Sequence, residues 1–307
     1  MTSWHKEYIK IHPEVEHALK EGKPVVALES TVITHGLPFP ENEKLAKDLE
    51  AEIQSRGCTP ATIAILDGMI HIGLDEGQLA RLAQAQEMLK ISVRDITSAI
   101  TKRMSGGTTV AGTLAIAEQA GIKVFATGGI GGVHREAPFD ISADLGELAK
   151  ARLVVVCAGA KAILDIPATL EILETYGVPV IGYQTSEFPA FYSISSGLGV
   201  SARADSAEEV AMIAQTHWDL GQKGSILVAV PPPLDVAVDT ALIEAVICTA
   251  LEEARKMNIH GQGVTPFLLR RVSELTGGVS LKANLGLLRN NAQVAAEIAY
   301  FMYKILQ

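Results

Sequence analysis

The chain has 307 residues, 48% of them hydrophobic and 20% charged, which is ordinary for a globular protein with a large core and allows one or two domains. Its formal net charge of −9 and the lack of a basic stripe argue against nucleic-acid binding, although a local pocket field can still hold a small anion. No apolar signal segment occurs in "MTSWHKEYIKIHPEVEH", no run approaches the roughly 18 apolar residues of a membrane span, and Cys58, Cys157 and Cys248 lack CxxC spacing, so a cytoplasmic chain with buried free thiols is expected.

Short β-rich runs alternate with amphipathic helical ones. Lys23–Ser30 ("KPVVALES") reads as a strand and Glu41–Gly57 as a helix closed by Gly57. Ala61–Gly68 and "MIHIGL" read as strands joined by a turn at Asp67-Gly68. Asp75–Leu89 and Gly106–Gly121 read as helices, the second with small residues on several faces. A strand at "IKVFATGG", a helix at "SADLGELAKA" and a strand at "RLVVVCAG" follow. Next come a helix over "AILDIPATLEILETYG", a strand at "VPVIGYQT", a helix opened by the capping box Ser206/Glu209, and a strand at "SILVAV". After "VPPPLD" the pattern is helical, over Thr240–Met257, Thr265–Thr276 and Ser280–Leu306. The alternation predicts an α/β fold, an α/β/α sandwich around a mostly parallel sheet, with residues 1–307 as one domain: a core over about 1–230 and a helical C-terminal layer over about 240–307.

In such sheets ligands bind beyond the carboxyl ends of strands, and three segments with reactive or flexible residues fall there. Glu29 ends the first strand: it is either a structural carboxylate or a general acid whose pKa burial raises. Lys161 follows "LVVVCAGA". One reading is a first-turn helix residue with its ammonium in solvent; the other is an amine nucleophile, with "AGA" leaving room for a ligand. The run "TGGIGGVHR" fails the dinucleotide spacing, since His134 stands where the third glycine belongs, so its glycines are expected to let the backbone approach a ligand.

Asp140 and Asp144 in "FDISADLGEL" would share a helical turn, either as a helix start or as a weak hard-cation site. "SGGTTVAG" is either an anion cradle or tight helix–sheet packing, and it lacks the lysine of a P-loop. In isolation His35 reads as a non-catalytic loop histidine and Lys90 as a surface charge.

Taken in order, "ALESTVITHGLPFPEN", "KISVRD", "TTVAGT", "VFATGGIGGVHR", "FDISADLGEL", "CAGAKAILD", "GVPVIGYQTSEFPAFY", "VTPFLLRRVSELTGG" and "SLKANLGLLRNNA" resemble the pseudouridine-5′-phosphate glycosidase family, also called pseudouridylate synthase or indigoidine synthase A-like. The resemblance runs from about Ile11 to the C-terminus, and its one visible departure is a short loop, "EAP", after "GGVHR". It implies reversible cleavage of the C–C glycosidic bond of pseudouridine 5′-phosphate to uracil and ribose 5-phosphate, a divalent cation, usually Mn2+, and a homotrimer. It further implies that Lys161 is the covalent nucleophile and Glu29 the proton donor, with Asp140 at the metal. Lys90, Val110, Ser142, Ala143 and Asp144 would bind substrate, Val110 through its backbone, and Asp144 could also reach the metal. Two other readings are a Schiff-base lyase or aldolase-like enzyme on another sugar phosphate, and a non-catalytic sugar-phosphate sensor.

Overall fold

A computed structural model describes residues 6–85, 87–135, 137–259 and 263–305. The first five residues of the N-terminal stretch, Glu136 of "EAP" and Leu306 lie outside the described residues. Along the chain come β1 (Ile9–Ile11), α1 (Pro13–Lys20), β2 (Val25–Leu28), α2 (Glu41–Ser55), β3 (Thr59–Leu66) and β4 (Met69–Ile72). Then follow α3 (Glu76–Gln84), β5 (Leu89–Ile91), α4 (Ile96–Thr101), β6 (Gly106–Thr108), α5 (Val110–Ala120) and β7 (Val124–Ala126). The middle holds β8 (Val133–His134), β9 (Ala137–Ile141), α6 (Ala143–Leu148), β10 (Val154–Cys157), β11 (Leu164–Asp165) and α7 (Ile166–Thr175). Last come β12 (Val180–Tyr183), β13 (Ala202–Ala204), α8 (Ala207–Asp219), β14 (Ile226–Ala229), α9 (Thr240–Lys256), α10 (Val264–Leu275) and α11 (Val279–Ile305).

The main sheet runs β1-β4-β3-β2-β7-β10-β14-β12-β13, with β6 also on β3 and β5 on β6. From β3 to β13 every neighbouring pair on this path is parallel, whereas β3 meets β4 and β6 antiparallel. The β3–β4 hairpin turns through Asp67 and Gly68, both at positive φ (51° and 78°), as a tight two-residue connection demands.

Val154–Cys157 of β10 are all fully buried. Successive strand side chains point to opposite faces, so this sheet is covered on both sides. The helix α11 lies over β2, β7 and β10 and against α2 and α8, while α5 packs on β2, β3 and β6. One hydrophobic core extends from Val15 to Met302, so the C-terminal helices share it with the sheet. The fold is thus α/β with a mostly parallel sheet and a helical C-terminal segment. No helix among the described residues is long and apolar enough to cross a membrane.

A second, three-stranded sheet, β11-β8-β9, was not legible in the sequence. Pairing in the two sheets changes several local expectations. Gly106–Thr108 is not the start of a helix but β6, paired with β3 and β5, and α5 begins at Val110 under a Thr109 cap. The helix expected over "AILDIPATLEILETYG" begins only at Ile166, because Leu164 and Asp165 pair with β8 and Asp165 then caps the helix. Lys161 is therefore a loop residue, and the helix dipole does not act on it as a first-turn position. Asp140 lies in β9 and Asp144 in α6, so the two do not share a helical turn. Of the cysteines, Cys58 and Cys157 are buried free thiols, but Cys248 is exposed on α9.

Candidate active site

The site grows from the register of three neighbouring strands. Leu28, Ala126 and Val156 lie level across β2, β7 and β10. Glu29 and Thr127 are thus the first residues past the carboxyl edge, and Lys161 stands one short loop beyond β10. Glu29 is buried, and the Thr127 hydroxyl donates to its Oε1 at 2.5 Å. Burial pushes the Glu29 carboxyl above the usual glutamate range, and neighbouring Asp144 adds to that. Lys161, the Thr127 hydrogen bond and Lys90 pull in the opposite direction.

Lys161 is half-buried and held by its backbone: its N–H donates to the Ile130 carbonyl at 3.0 Å, and its carbonyl accepts from Leu164 N–H at 2.9 Å. Lys90, on β5, is pushed below the ordinary lysine range by burial first and then by Lys161, against the pull of Asp144 and Glu29. The four groups therefore share one electrostatic neighbourhood. Cys157, close to Lys161 in the chain, is pushed up to about 12 by burial and is no competing nucleophile.

Two compartments meet at this cluster, both lined by Glu29, Thr31, Lys90, Lys161 and Thr265. The inner one is closed by Val32, His35, Phe191, Pro266, Asn284 and Leu288, with the Gly128-Gly129 backbone on one wall. Phe191 has a positive φ of 63°, a strained backbone for a bulky residue. Asn284 of α11 is 9% exposed, and its carboxamide makes no hydrogen bond among the described residues. Burial and Lys90 push His35 below the ordinary histidine range.

The outer compartment, of about 680 Å³, suits a ligand the size of a nucleotide. It is lined by Ser92, Arg94, Val110, His134, Asp140, Ser142, Ala143 and Asp144. Val110 opens α5, so its N–H has no partner within the helix. All eight residues singled out by the family resemblance thus line this cleft.

Asp144 has a definite structural task. Its Oδ1 accepts Ala111 N–H at 2.9 Å and its Oδ2 accepts Gly131 N–H at 2.8 Å, joining the start of α5 to the glycine loop after β7. A side chain at position 131 would press on Ser142 Oγ at 2.3 Å and on Asp144 Oδ2 at 2.8 Å, which is why a glycine stands there. With both oxygens engaged by backbone, Asp144 is a poor candidate for holding a metal ion. Asp140 is exposed at the rim, and among the described residues no three His, Cys, Asp or Glu side chains could hold a metal ion together. This donor set fits a hydrated Mg2+ or Mn2+ held by one carboxylate, with water or substrate oxygens completing the shell.

One expectation about "AGA" fails. Ala158 and Ala160 are fully buried, Gly159 has φ +90°, and a side chain there would lie 2.3 Å from the Pro189 carbonyl. These small residues admit the protein's own backbone, not a ligand. Gly128, Gly129, Gly131 and Gly132 of "TGGIGGVHR" do line the cleft, but none has positive φ, and a side chain at 129, 131 or 132 would also meet the protein's own Phe191, Ser142 or Thr169. Sequence reasoning assigned nothing to Thr127, Phe191, Thr265 or Asn284. The available signal for Asn284 was a polar residue on the apolar face of "SLKANLGLLRNNA".

Fold and site together define an α/β enzyme working at the carboxyl edge of its sheet. Residues 14–301 match the family described as indigoidine synthase A like protein. The chain is 53% identical over 300 residues to a protein of Caldanaerobacter subterraneus subsp. tengcongensis named pseudouridine-5′-phosphate glycosidase, covering 97% of this chain and 98% of that one. A protein of the same name from Geobacillus kaustophilus is 53% identical over 295 residues, covering 95% and 98%. The chain also superposes on two solved structures with a TM-score of 0.90 each. One is the prealnumycin C-glycosynthase AlnA in complex with ribulose 5-phosphate (39% identity, 98% of both chains). The other is an indigoidine synthase A-like protein of Thermotoga maritima (35% identity, 99% of both). The chain belongs to this indigoidine synthase A-like, pseudouridine-5′-phosphate glycosidase family, and it is an enzyme, which sets aside the sensor reading.

The Asp144 clamp is directly testable. Asp144→Asn turns one acceptor into a donor facing a backbone N–H, and the fold should lose about 1–3 kcal/mol in urea denaturation. A loss no greater than that of a surface substitution would refute the clamp.

Proposed function

We propose that the enzyme reversibly cleaves pseudouridine 5′-phosphate to uracil and ribose 5-phosphate through a Lys161 adduct. The observation that supports this most is the meeting of Lys161 and buried Glu29 beyond β10 and β2, the two strands that flank β7, at the junction of the two compartments. The inner compartment would take the base. Uracil presents an N–H flanked by two carbonyls, and the unpartnered Asn284 carboxamide offers both a donor and an acceptor to that edge. The outer compartment would take the sugar phosphate, near the free Val110 N–H and Lys90, with Ser142 and Ala143 beside it. Asp140 would hold the hydrated Mn2+, which supplies positive charge near the phosphate oxygens.

The leaving atom is a uracil carbon, so a pair of carboxylates, sufficient for an ordinary glycoside, does not suffice. Lys161 Nζ attacks C1′, the C1′–O4′ bond breaks, and the proton from nitrogen passes to O4′, opening the ring. Glu29 then protonates uracil C5. The nitrogen lone pair forms C1′=N⁺ as the C1′–C5 bond breaks, and its electron pair restores C5=C6 of free uracil. Water adds to the iminium and releases ribose 5-phosphate, returning the amine. Phe191 and Pro266 line the inner compartment and put apolar surface beside the charged steps. In the assembled enzyme, residues 1–307 would act as one domain within a homotrimer.

One observation favours a second reading: the structurally similar AlnA is a C-glycosynthase solved with ribulose 5-phosphate. On that reading Lys161 still captures a pentose phosphate, but the carbon acceptor differs.

Incubation with pseudouridine 5′-phosphate and Mn2+ should release uracil, and borohydride with ribose 5-phosphate should add mass at Lys161. Lys161→Ala should lower turnover by at least about 10³-fold with the fold retained, a loss of the size seen for catalytic nucleophiles. No uracil release with trapping intact would favour the second reading; label elsewhere would sink the mechanism.

Asp140→Ala should flatten the dependence of the rate on Mn2+ concentration. An unchanged Mn2+ titration would move the cation elsewhere.

Glu29 sets a pH signature. Its raised carboxyl binds a proton more tightly in the fold than in the unfolded chain. Its contribution to stability is therefore complete below the ordinary glutamate value and is lost as pH rises through the raised one. Denaturation of Glu29→Gln should lack that decline. Wild-type kcat/KM should also fall on the alkaline side, as the acid loses its proton. A Glu29→Gln variant with the wild-type rate and profile would exclude Glu29 as the donor.

A further inference from the structure

Arg135, which ends the "GGVHR" run, stands next to the cleft and makes four contacts on two sides. Its Nε–H donates to the Leu164 carbonyl at 3.1 Å and one Nη2–H to the Ala162 carbonyl at 2.9 Å. Its other donors reach Glu244 of α9, through Nη1 to Oε1 and through Nη2 to Oε2 at 3.0 Å. The guanidinium ties the Ala162 and Leu164 carbonyls, just after Lys161, to the end of β8, since Arg135 directly follows that strand. We propose that Arg135 is a positioning residue for Lys161, an inference that rests on Lys161 being the nucleophile.

The physical reason lies in what else holds this loop. Lys161 has left β10 and has not reached a helix, so no regular ladder sets its backbone. Its N–H is fixed on Ile130, and its carbonyl on Leu164 N–H. The pairing Leu164↔His134 begins only three residues on. Between these points Ala162 and Leu164 present carbonyls on the same side, and a planar fork with several fixed N–H groups can hold both at once. A lysine, a point charge on a flexible stem, cannot reproduce that geometry. Glu244 keeps the fork aligned, but at 48% side-chain exposure its ion pair contributes little energy of its own. The clamp on the loop, not the ion pair, is the functional contact.

This makes distinct demands on three variants. Arg135→Ala and Arg135→Lys should each lower kcat by about 10- to 100-fold with KM within about twofold, because a reacting group displaced by about 1 Å loses rate on that scale. The borohydride trapping rate at Lys161 with ribose 5-phosphate should fall by a similar factor. Millimolar guanidinium should restore part of the Arg135→Ala rate and none of the Lys161→Ala rate. Glu244→Gln, which leaves the two loop contacts in place, should keep kcat within about threefold of wild type.

Three results would overturn the inference. In the first, Arg135→Ala melts earlier but keeps kcat and trapping rate. In the second, KM rises with kcat unchanged. In the third, Glu244→Gln loses as much as Arg135→Ala. If Arg135→Ala fails to fold, Arg135→Lys and Glu244→Gln carry the same comparison. The parent reading fails separately, when the unmodified enzyme releases no uracil. The trapping comparison then still decides Arg135, and absence of any label at Lys161 in the unmodified chain removes both.

Discussion

Burial of the central parallel strands on both faces governs where chemistry can occur in this protein. Val154–Cys157 and Val25–Leu28 present side chains to both faces of the sheet, and all are buried. A polar or ionisable group within those strands would lack solvent and partners, so it can only appear where a strand stops. At the carboxyl edge the neighbouring strands β2, β7 and β10 end level. Glu29, the glycine loop and Lys161 are therefore delivered to one place by register alone. The raised Glu29 and lowered Lys90 follow from the same half-dry setting, since burial is the first cause of each shift.

Loops that leave such an edge must be tied down, and the molecule uses charged side chains for this task. Asp144 grips two backbone N–H groups from separate segments, and Arg135 grips two carbonyls beside Lys161. Hydrogen bonds to charged groups are worth about 1.5–3 kcal/mol each, roughly twice the neutral kind, so a single residue can replace a missing ladder. The small residues around them are selected by contact with protein: Gly131 against Ser142 and Asp144, Gly159 against the Pro189 carbonyl. In this arrangement some residues that look like ligand binders are parts of the frame that holds the binders.

The C-terminal helices complete the cleft from the other side. Helix α11 brings Asn284 and Leu288 to the inner compartment, while Asn291 on the same face donates to the carbonyls of Thr127 and Gly128. Through Thr127, whose hydroxyl donates to Glu29, this helix reaches the buried carboxyl group. The Asn291 Oδ1 is the one buried polar side-chain atom without a partner among the described residues, a local cost accepted next to the site. Helix α10 adds Thr265 and Pro266. A layer that periodicity alone marks as structural thus supplies about a third of the residues lining the inner compartment.

Much of this could be read from the chain alone, because alternation of valine-rich runs with amphipathic ones depends on local periodicity. That periodicity set the parallel sheet, the helical C-terminal segment and the strand-end positions of Glu29 and Lys161. The ordered motifs then identified the family and singled out eight residues that the structure gathers along one cleft. What the sequence could not determine depends on pairing between distant segments. The two-residue strand β11 has no periodic signature of its own, so Lys161 looked like the start of a helix. Asp140 and Asp144, four apart in sequence, were separated by a strand end, one exposed on β9 and the other buried and hydrogen-bonded in α6. Only the tertiary structure brought Arg135 to the Lys161 loop and Asn284 to the cleft. Register and long-range contacts, unlike periodicity, are properties of two segments at once, and one segment read alone does not contain them.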